Sequence, residues 1–218
     1  ILAVCIAGLI ARLNARSMAQ LASDIPRSGG AYAYASEVLG KGWGFTAGIA
    51  FLVGKIGSVA AIALTIAIYL NFDNWVAFLA LWSVFGVNAL GINRTAFMAR
   101  VLSLISLLFL FALVLVSLSL PSANLPLQAA EPMGVLTAAG FLFFAFAGYA
   151  RVATLGEEVL NPKRHVPRAV MISLGIVFTL YLLLAISIER VLGSAAAYSE
   201  RAVFDLAAIA LEPVGSLV

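Results

Sequence analysis

Charge is the first thing this 218-residue sequence lacks: it has 10 acidic and 13 basic residues, 11% charged in all, against 63% hydrophobic. With a mean hydropathy of +1.08, that composition excludes an ordinary water-soluble domain, and with it a soluble enzyme. Cysteine is limited to Cys5, which can form no intrachain disulfide and reads as a small core residue in an apolar run. Histidine is limited to His165, which falls in a charged connection between two prolines and reads as a solvated loop residue. The apolar stretches hold no His and no Asp or Glu pair, so an intramembrane enzyme would lack its nucleophile and base or its paired acids. No basic patch interleaves with aromatics, which leaves nucleic-acid binding without support. Neither a cofactor nor a metal site is called for. Residues 1–11 carry no basic leader and no Ala-x-Ala pattern, so no signal peptide is visible.

What the sequence does have is long apolar runs. Residues 101–130 and 169–188 contain no Asp, Glu, Lys or Arg, and each is long enough to cross a bilayer. Charge-free length predicts six helical spans near 1–22, 44–70, 75–92, 100–120, 136–156 and 169–188. Helices follow because backbone groups in hydrocarbon must find partners within their own segment, and no barrel-like alternation is present. The basic residues then sort by side. Arg12, Arg16, Arg27 and Lys41 fall in the first connection, Arg94 and Arg100 in the third, and Arg151, Lys163, Arg164 and Arg168 in the fifth. The connections around 71–74 and 121–135 have none. By the positive-inside rule the odd connections are cytoplasmic, in a multi-pass protein of the cytoplasmic membrane. The first span then enters from outside, which requires a preceding span, so the sequence is expected to be a fragment. Residues 1–192 form a transmembrane helical bundle on this reading. Residues 193–218 form an external loop or amphipathic helix, with a helical stretch near 200–211.

In the second span Gly44, Gly48, Gly54, Gly57, Ser58 and Ala61 repeat at small-x-x-x-small spacing, which allows close helix approach; glycines merely tolerated in a membrane helix are the alternative. Two further motifs stand apart in the chain: Ile25-Pro-Arg-Ser-Gly-Gly-Ala-Tyr32 after the first span, and Gly140 to Tyr149 leading into Gly156-Glu-Glu-Val-Leu-Asn-Pro-Lys-Arg-His-Val-Pro-Arg168. With both motifs at this separation, the chain resembles the amino acid permeases of the amino acid/polyamine/organocation superfamily over nearly its whole length. Val53-Gly54-Lys55 and the stretch from Asn14 to Ala22 are similar to a bacterial branch of it. The resemblance implies a five-plus-five inverted-repeat transporter fold, all-α, of which this chain carries the second to seventh transmembrane helices. It also implies secondary active transport, as antiporter or symporter, of an amino acid or related amine by alternating access.

The residues around 144–149 support such a role physically, since Ala147 and Gly148 interrupt an apolar helix between bulky phenylalanines. A broken helix exposes carbonyls and helix ends that can hold the ammonium and carboxylate of a zwitterion. By carry-over from the resemblance, Phe144, Ala145, Phe146 and Gly148 are the candidate substrate site, with Phe144 or Phe146 as the gate. An unbroken Phe-rich helix facing lipid is the alternative. Glu157 and Glu158 near Lys163, Arg164 and Arg168, with Pro162 and Pro167 bracketing a turn, form either a cytoplasmic latch or simply solvated surface charge.

Lys55 is the sharpest feature. Eleven residues beyond Gly44, it lies roughly 16 Å along a helix, close to the membrane middle. A charge there costs at least ~2.5 kcal/mol on insertion scales, so it is expected to face the protein interior, as a coupling or charge site that exchanges protons. A snorkelling lysine is the alternative. Some proton-coupled members of the superfamily have a fifth-helix lysine, whose position falls here at Ser106, and Gln20 stands where many relatives have Glu. The expected partners are therefore the substrate, protons and the lipid bilayer. The rival readings are a channel or structural subunit, which would have a polar-lined pore and no midplane break, and an intramembrane enzyme.

Overall fold

Glycine, proline and asparagine punctuate the chain into helices. In the computed structural model, which describes residues 1–25, 27–73, 75–89, 91–123, 131–150 and 161–215, these are α1 (Leu2–Asp24), α2 (Ala31–Val38), α3 (Lys41–Leu70), α4 (Trp75–Ala89), α5 (Ile92–Ser119), α6 (Pro132–Phe146), α7 (Pro162–Leu192), a 3-10 turn (Gly193–Tyr198) and α8 (Ala202–Gly215). The protein is all-α, with no strand among the described residues. Among the described residues, four helical stretches are long and apolar enough to cross a membrane: Leu2–Asp24, Lys41–Leu70, Asn93–Ser119 and Lys163–Tyr198. Helices α4 and α6 have 15 residues each, or about 22 Å at the helical rise, against a hydrocarbon core of about 30 Å.

The helices overrun the charge-free stretches at their basic ends. Arg12 and Arg16 lie within α1, not in a connection, and Arg94 and Arg100 lie in the first turns of α5. Likewise Lys163, Arg164, His165 and Arg168 belong to the start of α7, and Pro167 sits inside that helix instead of closing a turn. The reason is capping. Asn161, at φ 52°, offers its carbonyl to the Arg164 and His165 amides at 3.0 and 3.1 Å. Pro162 follows at the first helical position, where its fixed φ suits the helix and no N–H is missed. Absence of charge therefore marks the hydrocarbon-compatible part of a helix and not its end.

The chain divides into two compact units. The first comprises Ile1–Gly54 and Ala129–Leu182. In it α1 buries Val4, Ala7, Gly8, Ala11, Ala15, Ala19 and Ala22, with Gly8 under the Phe178 ring of α7, and lies along α6. This three- and four-residue repeat of small side chains lets the two backbones approach closely. The 25–32 motif makes the corner after α1. Gly29 and Gly30 take φ of 125° and 55°, a region that costs other L-residues a Cβ clash. Arg27 reaches across the corner to Glu37 of α2 at 3.1 Å, both side chains exposed. Tyr34 anchors α2 as its buried residue, and burial pushes its phenol above the usual tyrosine range. Helix α2 then seats on the start of α3, with Ser36 against Gly44 and Tyr32 against Gly48. Gly54, by contrast, faces open space.

The second unit comprises Lys55–Gln128 and Leu183–Val218. Gly57 opens onto empty space here as well, so the small-residue repeat of α3 is a packing face only at Gly44 and Gly48 among its glycines. Helix α3 ends in a Schellman turn: Asn71 takes φ 54°, and the Phe72 and Asn71 amides bond to the carbonyls of Ala67 and Ile68 at 3.0 and 3.1 Å. Ala63 and Ala67 then meet Ala77 of α4. The hydroxyl of Thr95 on α5 donates to the carbonyl of Val87 on α4 at 3.2 Å. Between α5 and α7, Ser117 and Ser187 are fully buried, with their hydroxyls 2.7 Å apart. Ser117 Oγ also lies 2.7 Å from the Val114 carbonyl. With one proton, Ser117 donates to that carbonyl and accepts from Ser187. Arg190 closes the end of this pair by donating to the Leu120 carbonyl at 3.4 Å, while its own carbonyl accepts from the Ala123 amide at 2.8 Å. Helix α8 packs on α5, with Leu206 fully buried.

Candidate functional site

Helix α6 stops where the phenylalanine run meets Ala147 and Gly148. Phe146 is its last residue, and Ala147 has φ −66° and ψ 1°. The Ala147 amide bonds back to the Phe144 carbonyl at 3.2 Å, and the Ala150 amide to Ala147 at 3.3 Å. Both reach three residues back instead of four, so the helix tightens and then turns. This breaks the helix at the position expected from the sequence. The unbroken Phe-rich helix is ruled out.

Beside the break is a cavity of about 300 Å³, lined by Ala145, Phe146, Gly148 and Tyr149 on one side and by Ser173, Leu174, Val177 and Tyr181 of α7 on the other. Phe146 is 2% exposed. Its ring meets Tyr181 edge-on at 5.2 Å and Phe178 at 6.4 Å. Tyr149 is buried, and its side chain is hydrogen-bonded to Asn14 of α1, which ties the residue after the break to the neighbouring helix. A Cβ built on Gly148 would meet no atom within 4 Å. Space, not backbone strain, is what glycine provides here.

Chemically the cavity combines three aromatic rings, Phe146, Tyr149 and Tyr181, with the tyrosine and Ser173 hydroxyls and the backbone of a broken helix. No charged side chain lines it among the described residues. Aromatic faces attract an ammonium group, and the exposed dipoles at helix ends hold charged groups without opposite charges of their own. An amphiphilic zwitterion or amine fits such a lining better than an anion.

Of the four residues expected to form the site, Ala145, Phe146 and Gly148 line the cavity, and Phe144 does not; it is 52% exposed. Lys55 is half-buried on α3 and is not a lining residue. Ser106 is exposed on α5, and Gln20 exposed on α1. Lys163, Arg164 and Arg168 are exposed on the first turns of α7, while Glu157 and Glu158 lie outside the described residues. Sequence reasoning missed Ser173, Val177 and Tyr181. Their four-residue spacing puts them on one face of α7, and that periodicity was the available signal. It also missed Asn14, whose role depends on a partner far away in sequence.

Residues 1–217 match the family model described as amino acid permease. Among curated proteins, the chain is 41% identical over 204 residues to an uncharacterized transporter of Mycobacterium tuberculosis, covering 88% of this chain and 45% of that one. It is 25% identical over 212 residues to cationic amino acid transporter 5 of Arabidopsis thaliana, covering 87% and 37%. It is also 25% identical over 241 residues to the methylthioribose transporter of Bacillus subtilis, covering 99% and 51%. The chain thus spans about half, or less, of the length of the curated relatives it matches. No solved structure matches it.

Proposed function

The chain belongs to the amino acid permease family, and from that premise we propose that it serves secondary active transport of amino acids or related amines by alternating access across the cytoplasmic membrane. The observation that carries the reading is the end of α6 at Phe146, with the turn at 147–148 opening beside the cavity it shares with α7. A carrier needs a site that binds with dipoles yet releases, and a broken helix is one of the few ways to present backbone groups at membrane depth. Phe146 is the gating aromatic on this reading, since it closes one wall of the cavity against Tyr181. Lys55 is the coupling charge. Glu157 and Glu158 with Lys163, Arg164 and Arg168 form the cytoplasmic latch, on the side that the clustered basic residues assign to the cytoplasm. The five-plus-five inverted repeat is the fold in which these parts would move.

An amine substrate is favoured by the aromatic faces of Phe146 and Tyr181. The Arabidopsis relative is named for cationic amino acids and the Bacillus relative for methylthioribose, so both chemistries belong in a substrate panel. The test is radiolabelled uptake by the reconstituted full-length carrier, with and without a proton gradient, using cationic, neutral and acidic amino acids and methylthioribose. Saturable uptake with counter-exchange of an amino acid is expected; linear, non-exchanging flux would mean a channel and refute the proposal. In the same assay Gly148→Leu should weaken substrate affinity while leaving expression intact, because its side chain grows into open cavity space.

A further inference from the structure

Farther around α7 from the helix break, and sharing Leu174 with the cavity there, a long groove runs between α1 and α7. Its first part, about 420 Å³, is walled by Gly8, Leu9 and Cys5 of α1 and by Leu174, Gly175 and Phe178 of α7, and Arg12 and Met171 stand at its end. A second cavity of about 430 Å³ shares Arg12 and Met171 and continues past Arg16, Gln20 and Ser23 to Pro167. On α1, Cys5, Leu9, Arg12, Arg16, Gln20 and Ser23 follow one another at three- and four-residue steps, so they form a single stripe about 80° wide. Along that stripe the chemistry changes once: apolar up to Leu9, doubly basic at Arg12 and Arg16, and neutral polar beyond. No carboxylate lines either cavity among the described residues.

An apolar trough that opens into a two-arginine mouth matches an amphiphile with one negative head. From Cys5 to Arg12 the trough is about 10 Å long at the helical rise, within the ~15 Å of hydrocarbon in one leaflet. Arg12 and Arg16 are both exposed at one helical turn's separation, the spacing at which two guanidinium groups can hold one phosphate. Basic pockets between membrane helices are where anionic headgroups bind. We propose that the α1/α7 groove is a binding site for an anionic phospholipid, with an acyl chain against Gly8, Gly175 and Phe178 and the headgroup phosphate on Arg12 and Arg16. This site shares the Leu174 wall with the cavity at the helix break, but its assignment does not depend on which substrate is carried.

Lipid retention tests it directly. The full-length carrier is reconstituted in nanodiscs of mixed phosphatidylglycerol and phosphatidylcholine, then released, and the retained lipids are counted by native mass spectrometry. Wild type is expected to keep phosphatidylglycerol in preference. Arg12→Gln with Arg16→Gln should lower that preference about thirty-fold, the loss for two basic contacts at a typical anionic membrane surface. Arg12→Lys with Arg16→Lys should keep most of it, which also controls for folding. Gly175→Phe should lower retention several-fold with both arginines intact, because a Cβ there meets no atom within 4 Å and the ring would occupy the trough. An unchanged preference in the double Gln variant would remove the headgroup contact and overturn the proposal. Full retention by Gly175→Phe would overturn it from the other end, leaving an arginine pair that binds phosphate with no chain in the groove; displacement of the lipid by millimolar inorganic phosphate would point the same way.

Discussion

Replacing each glycine of α3 by alanine should give effects of opposite sign along a single helix. At Gly44 a new Cβ would collide with the Ser36 hydroxyl and lie 2.9 Å from Ser36 Cα, which is backbone and cannot rotate away. Overfilling a tight contact of this kind costs about 1 to 3 kcal/mol. At Gly48 the nearest atom is Tyr32 Cδ2 at 3.1 Å, the edge of an exposed ring that can shift, so the cost there should be well below 1 kcal/mol. At Gly54 and Gly57 nothing lies within 4 Å, and alanine should stabilise each by roughly 0.5 to 1 kcal/mol through the lower backbone entropy of the unfolded helix. Between Gly44→Ala and Gly54→Ala the predicted difference is therefore about 1.5 to 4 kcal/mol. Thermal unfolding of purified variants in one detergent, followed by the loss of helical circular dichroism, measures the order. Equal shifts at Gly44 and Gly54, or destabilisation at Gly57 as large as at Gly44, would refute the reasoning.

Phe146→Ala should cost about 3 kcal/mol or more in stability and impair uptake, because the ring is 2% exposed and walls the cavity; Phe144→Ala, at 52% exposure, should be nearly neutral in both melting temperature and transport. Lys55→Met should insert and fold like wild type but take up substrate at a rate that no longer responds to an imposed proton gradient; an unchanged pH profile in liposomes removes the coupling role. Ser117→Ala and Ser187→Ala should be coupled by about 0.6 kcal/mol, the typical value for a hydrogen bond between membrane helices, as read from a double-mutant unfolding cycle, and strict additivity would show that the 2.7 Å contact contributes nothing to holding α5 against α7.

Much of the fold could be read from charge and hydropathy, because a bilayer rewards long apolar helices and little else. What could not be read is where helices end once they leave hydrocarbon. Arg94 and Arg100 at the start of α5, and Lys163 to Arg168 at the start of α7, are compatible with helix in an aqueous interface, so counting uncharged residues places the boundary too far inward. The deciding signals were local: Gly91 at φ 101° before α5, and Asn161 at φ 52° before α7. A similar limit applies to the glycines of α3. Their spacing says that they share a face, but only the position of Ser36 and Tyr32 on a separate helix decides which of them are covered.

Within the candidate site, the break itself was legible and the choice of lining phenylalanine was not. Ala147 and Gly148 after a phenylalanine run carry the break, since nothing bulky there holds the helix against a turn. Phe144 and Phe146 are two residues apart and so point about 200° away from each other on a helix; one must face the cavity if the other does not. Local sequence is symmetric between them, with alanine, phenylalanine and no charge on either side. What separates them is α7, whose Phe178 and Tyr181 meet the Phe146 ring. The partner that selects Phe146 is thus more than thirty residues away. The polar half of the cavity follows the same rule: Ser173 and Tyr181 become lining residues because α7 returns beside the break, and Tyr149 is hydrogen-bonded to Asn14 from α1. A cavity assembled from separate helices leaves in each of them only a fraction of its pattern, and the fraction in α6 was readable because breaking a helix needs a local cause.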